Sequence, residues 1–104
     1  MNTAKTINIL EYAVTPESGE TINLLLNHKN IKINKIVSSD DIDHIEYCQD
    51  EDEWILLLEG SATLECDGKV LELKRGDSLL IPSKTTHRVK KVEKGTIWLT
   101  VHIY

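Results

Sequence analysis

The chain has 104 residues, 40% of them hydrophobic, enough for one modest core. Seventeen acidic residues outnumber 12 basic ones to give net −5, and the basic ones are scattered. That balance excludes a nucleic-acid partner, which needs clustered Lys and Arg, and no run approaches the roughly 18 apolar residues of a membrane span.

The first residues, "MNTAKTINILEYAV", contain no basic region followed by a long apolar block, so no signal peptide is expected. With two cysteines, Cys48 and Cys66, the composition fits a reduced, cytoplasmic domain better than a disulfide scaffold. "TPESGETINLLLNHKN" has turn formers at Thr15 to Gly19, then an apolar cluster at Ile22 and Leu24 to Leu26. It predicts a short helix or a single turn, within an N-terminal extension of about thirty residues.

From there the pattern is that of strands. "IKINKIV" is rich in β-branched residues and begins in strict alternation. "SSDDID" supplies a turn, and "HIEYCQ" alternates again. "WILLL" is an unbroken apolar run, the mark of a strand covered on both faces. "SATLECDGKVLELK" is two alternating runs around Asp67-Gly68, which suits a two-residue type I′ hairpin because both central positions need positive φ. That loop pairs Leu64 with Leu71 and Ala62 with Leu73 on an apolar face, leaving Thr63–Glu72 and Glu65–Val70 on a mixed one. "RGD" turns the chain, "SLLIP" is a further buried run, and "THRVKKV" and "TIWLTVHIY" alternate around "EKG". The basic residues of "HRVKKVEK" then form a solvated strand face. Eight strands with turns every eight to twelve residues predict an all-β sandwich or barrel.

Two stretches bear chemistry. In "EYCQDEDEWILLLEG", Asp50, Glu51 and Asp52 read as a solvated loop at a barrel mouth, while Glu53 opens the strand and points inward. In "RGDSLLIPSKTTHRV", a buried run ended by Pro82 is followed by His87 at the start of an alternating one.

These stretches resemble the cupin family, small double-stranded β-helices of the jelly-roll type. The first cupin motif is G-x5-H-x-H-x3,4-E-x6-G. Glu53, the six residues "WILLLE" and Gly60 reproduce its second half. The second is G-x5-P-x-G-x2-H-x3-N, matched by Gly76, Pro82 and His87. The two motif histidines fall on Tyr47 and Gln49, the opening glycine on Asp41, the second-motif glycine on Lys84 and the asparagine on Lys91. The resemblance is to a subgroup of small bacterial cupins of uncertain role, and implies one domain over 1–104 with barrel motifs from about 44 to 104. It also implies a homodimer, with "INIL" and "INLLL" as apolar segments that one small barrel leaves uncovered.

Typical cupins hold Mn, Fe, Ni or Zn with three histidines and a glutamate. Carried over, the ligand set becomes Tyr47, Gln49, Glu53 and His87, oxygen-rich and weaker than three imidazoles. Strand alternation turns Tyr47 and Gln49 to one side. Without a metal, Glu53 and His87 form a candidate acid–base pair, since burial raises the pKa of one and lowers that of the other. His102 shares a face with Trp98 and Thr100, which either lines the barrel or forms its outer surface. His44 belongs on the opposite face and His28 in a loop, while Cys48 and Cys66 read as small hydrophobes. The expected function is small-molecule binding, with a divalent metal or, as the alternative, as a metal-free sensing or interaction module without turnover.

Overall fold

The computed structural model describes residues 5–104, all of whose regular elements are strands. In chain order these are β1 (Glu20–His28), β2 (Ile31–Ser38), β3 (Asp52–Glu59), β4 (Ser61–Cys66), β5 (Lys69–Lys74), β6 (Ser78–Ile81), β7 (His87–Val92) and β8 (Thr96–Ile103). They form two antiparallel sheets, one of five strands in the order β1-β2-β8-β3-β6, the other of three in the order β5-β4-β7. The result is an all-β, two-sheet jelly-roll barrel.

The Asp67-Gly68 hairpin has the predicted geometry, with φ of 50° and 78° at its two loop residues. Leu64 faces Leu71 and Ala62 faces Leu73, as the alternation requires. Leu64 and Ala62 are buried and pack with Ile55, Leu57, Ile81, Val92 and Trp98 into the core between the sheets.

Two elements differ from the sequence expectation. The predicted N-terminal helical turn is a strand: β1 pairs with β2 from Glu20↔Ser38 to His28↔Ile31. The β2 ladder supplies its backbone partners, and Thr21, Asn23 and Asn27 are poor helix formers. A bulge at Leu25 splits the apolar cluster, so Ile22 and Leu24 face the barrel interior with Ile36 and Asn34, whereas Leu26 lies on the outer face beside Ile33. His28 is accordingly a strand terminus rather than a loop residue. Conversely, "HIEYCQ" is no strand: it makes one isolated bridge, Tyr47 to His87. The predicted count of eight is met by β1 in place of that segment.

β3 is buried only on its inward side. Ile55 and Leu57 are 4% and 0% exposed, while Trp54, Leu56 and Leu58 stay half-buried, so the unbroken apolar run is covered on one face alone.

The β3–β4 turn depends on Gly60. Its φ is +96°, and a Cβ there would stand 2.9 Å from the Thr96 backbone. Gly68 has a positive φ too but open space around it. Gly60→Ala is therefore expected to cost about 3 kcal/mol and Gly68→Ala only about 1 kcal/mol, read as urea unfolding free energies.

Candidate functional site

Glu53 is the first inward residue of β3 and is 8% exposed. Three segments reach its carboxylate. Gln49, in the loop before β3, donates from Nε2 to Oε1 at 2.8 Å. His87, at the start of β7 in the opposite sheet, places Nε2 3.7 Å from Oε1. His102, the β8 neighbour of Glu53 in the ladder, places Nε2 3.7 Å from Oε2. The two imidazoles thus approach opposite oxygens of one carboxylate, at distances longer than a hydrogen bond.

Both rings are oriented from behind. His87 Nδ1 lies 3.1 Å from the Thr85 carbonyl oxygen, which can only accept, so Nδ1 carries a proton. His102 Nδ1 lies 3.1 Å from Glu51 Oε2 in the same sense. Each ring therefore turns Nε2 toward Glu53 and the barrel interior.

Around this group is a cavity of about 340 Å³, at the small end of ligand pockets. Glu20, Asn34, Tyr47, Gln49, Glu53, His87, Thr100 and His102 give it polar groups, and Trp98 with six strands' aliphatic side chains gives it walls. Trp98 lies in the inner wall, its indole N–H on Ser38 Oγ at 3.0 Å. Tyr47 is half-exposed at the rim, its ring 5.9 Å from that of His87. Burial first, then the charges of Asp43 and Glu20, push its phenol pKa up. Cys66 is likewise raised, by burial and by Glu53, which keeps it a thiol rather than a nucleophile. His44 is exposed, with Nδ1 3.4 Å from the Val89 carbonyl.

Two members of the site escaped the sequence reading. Glu51, taken for a solvated loop residue, is mostly buried against His102. Burial raises its pKa, but a backbone N–H, Tyr104 and His102 outweigh that and hold it below the usual carboxylate value. Glu51 precedes Glu53 by two residues, so strand parity itself would have put both on one side. Glu20 was hidden by the helical reading of β1. Although it leaves much of its surface to solvent, burial of its carboxyl raises its pKa, and Asp43 and Glu53 add to the rise against a Ser38 hydrogen bond.

The donors do not fit the four-ligand metal centre that the resemblance implies. A bound ion needs ligand atoms within about 2.0–2.3 Å of one point. Here His87 and His102 address different oxygens of Glu53, Gln49 turns its amide nitrogen to that carboxylate, and Tyr47 is held as a phenol. Among the described residues, no three His, Cys, Asp or Glu side chains are grouped to hold a metal ion. No helix among them is long and apolar enough to cross a membrane.

Lys84 shows how Gln49 is placed. It occupies the position of the second-motif glycine and keeps a left-handed backbone, φ 61°. Its N–H donates to the Gln49 carbonyl at 2.7 Å, tying the loop that carries Gln49 to the β6–β7 turn. Such a φ costs a side-chain-bearing residue about 1–2 kcal/mol. Lys84→Gly is thus expected to raise the urea unfolding free energy by about 1 kcal/mol, net of glycine's extra chain entropy.

The family described as the cupin domain matches residues 43–102. A crystal structure from Ralstonia eutropha, provisionally named a mannose-6-phosphate isomerase, is 30% identical with TM-score 0.87, over 96% of this chain and 98% of that one. An RmlC-like cupin from Desulfovibrio desulfuricans is 24% identical with TM-score 0.78, over 95% and 96% of the two chains. A conserved Streptococcus pyogenes protein of unknown function shares the fold at 16% identity and TM-score 0.82, over 99% and 90%. No curated protein matches the chain.

Proposed function

This chain belongs to the cupin domain family, and from that premise we propose that it binds a small molecule inside the barrel, around Glu53, without a metal ion. The observation that carries this reading is the meeting of Gln49, His87 and His102 on one buried carboxylate at the wall of a cavity. Buried polar groups are expensive to leave unpaired, at about 1–3 kcal/mol each. Here Glu53 and the two imidazoles turn toward open space with their facing atoms beyond hydrogen-bond distance of one another, which is where a ligand would complete them.

A second reading, turnover by proton transfer, is favoured by the imidazoles beside Glu53. The Ralstonia relative is provisionally named an isomerase, and isomerisation beside a carbonyl needs a base and an acid near adjacent atoms. Glu53 would take the proton from one atom and return it to the next, with His87 lining its path and Glu51 acting only to position His102.

Two measurements test the central reading. Elemental analysis of protein purified without chelator or metal-affinity tag should find less than about a tenth of an equivalent of Zn, Mn, Fe or Ni. A stoichiometric metal that survives dialysis overturns it. Ligands found in a thermal-shift screen should lose their stabilisation, about 2.7 kcal/mol at 100 times the dissociation constant, in Glu53→Gln.

We further propose that the protein is a homodimer built on the outer face of the larger sheet. Leu80, Trp54, Val101, Ile33 and Leu26 lie side by side there across all five strands. That row is roughly 19 Å long at ordinary strand spacing. Lys35, the cation next to it, is already committed to the Glu11 carbonyl at 2.8 Å. An uncharged row favours a second copy of itself over a charged partner, since an isologous contact sets it against its own equal. Light scattering should give twice the chain mass, and Val101→Glu should give one chain mass with the fold retained by circular dichroism. A monomeric wild type sinks the dimer.

A further inference from the structure

The cavity has a distinct chemical polarity, and it is the polarity of a receptor for donors. His87 and His102 have each spent their Nδ1 proton on an outward acceptor, the Thr85 carbonyl and the Glu51 carboxylate. In the neutral rings Nε2 is then a lone pair; that of His102 has the Thr100 hydroxyl 3.4 Å away, and both face Glu53, which as a carboxylate only accepts. Gln49 satisfies one site on Oε1, whereas Oε2 has as its nearest partner a ring nitrogen 3.7 Å away. One end of the cavity therefore gathers more acceptors than donors: against Glu53 and the two imidazoles stand the Gln49 amide and the more distant Thr100 hydroxyl.

Charge points the same way. Glu20 and Glu53 both line the cavity, and neither Lys nor Arg does. The Glu20 carboxyl is harder to ionise than usual, through lost hydration first and then repulsion by Asp43 and Glu53. A phosphate or carboxylate entering here would add a third like charge where neither Lys nor Arg could hold it. The larger share of the wall, including Ile22, Ile36, Ile55, Leu64 and Val89, is apolar. It would leave the many hydroxyls of a sugar unpaired.

Resting on the pocket proposed above, we infer that the ligand is a small primary ammonium ion with an apolar body, its N–H groups shared by Glu53, His87 and His102. An ammonium has three donors and no acceptor, the complement of this cluster. Its hydrogen bonds span about 2.7–3.2 Å, a looser shell than metal coordination. The volume, about 340 Å³, equals roughly eleven waters at about 30 Å³ each, so the body holds on the order of ten heavy atoms. The aliphatic walls and Trp98 would enclose it.

The test is a nitrogen–proton NMR titration of the full chain with three ligands of matched shape: 3-methylbutylammonium, 3-methylbutan-1-ol and 3-methylbutanoate. The ammonium should bind at least about tenfold more tightly than the alcohol, weaken with added salt, and be unaffected by chelator, while the carboxylate should not bind. Glu20→Gln should cut ammonium affinity about threefold and leave the alcohol unchanged. Its fold is not at risk, because removing a carboxylate that is hard to ionise should make the protein more stable at neutral pH. A carboxylate that binds as well as the ammonium overturns the charge inference while leaving the pocket intact, since both imidazoles would then be donors. An ammonium that binds only with added Zn or Mn overturns it in favour of a metal. If none of the three moves a pocket resonance at about 10 mM, the pocket reading falls as well.

Discussion

Everything in this molecule's chemistry turns on burying one carboxylate where two sheets meet. Glu53 lies on the larger sheet and His87 on the smaller, and 3.7 Å separates them. Such a group is tolerable inside a barrel only if donors or cations surround it, because an unpaired buried charge costs several kcal/mol. Gln49 meets part of that requirement. The imidazoles direct their Nδ1 atoms elsewhere, so few donors serve the carboxylate from the cavity side. Packing, rather than local propensity, creates that shortage: the neighbouring inward positions on β3, Ile55 and Leu57, are fully committed to the core.

The cavity exists because the barrel is incomplete on one side. β1 is an edge strand, and its inward Ile22 and Leu24 are each 57% exposed. Farther along the same sheet, Trp98 and Thr100 of β8 are buried. The interior thus grades from a packed core near β4 and β8 to an open mouth near β1. The polar cluster and the tightest packing thus occupy different ends of one sheet.

Legibility in the sequence followed how local each determinant is. The Asp67-Gly68 hairpin was readable to its register, since two residues set the turn and alternation sets the faces. Glu53 and His87 were readable together through the two cupin motifs, whose spacing matches the chain at both positions. β1 was not: its bulge at Leu25 puts three leucines in succession and breaks the period of two that marks a strand. The Tyr47 segment failed for the opposite reason, as it alternates but has one bridging partner, and alternation cannot reveal whether a neighbour is available. For His102, parity grouped it with Trp98 and Thr100, yet which side of the wall that group faced depended on closure of the barrel.

The departures from the cupin motifs are consistent with one another in physical terms. Replacing the two first-motif imidazoles by Tyr47 and Gln49 removes the strongest neutral metal donors and adds an amide that binds the remaining carboxylate directly. His102 then enters from β8, outside both motifs, but it meets the far oxygen of Glu53 and does not restore a point of convergence. Glu51 orients that ring and adds negative charge behind it. Each change moves the site from a cage that closes around an ion toward a row of acceptors along a wall. A metal selects by radius and ligand count, whereas a row of acceptors selects by donor number and charge. On the proposed reading the barrel selects by donor number and charge, and Lys84, at the position of the second-motif glycine, keeps the left-handed backbone that glycine favours.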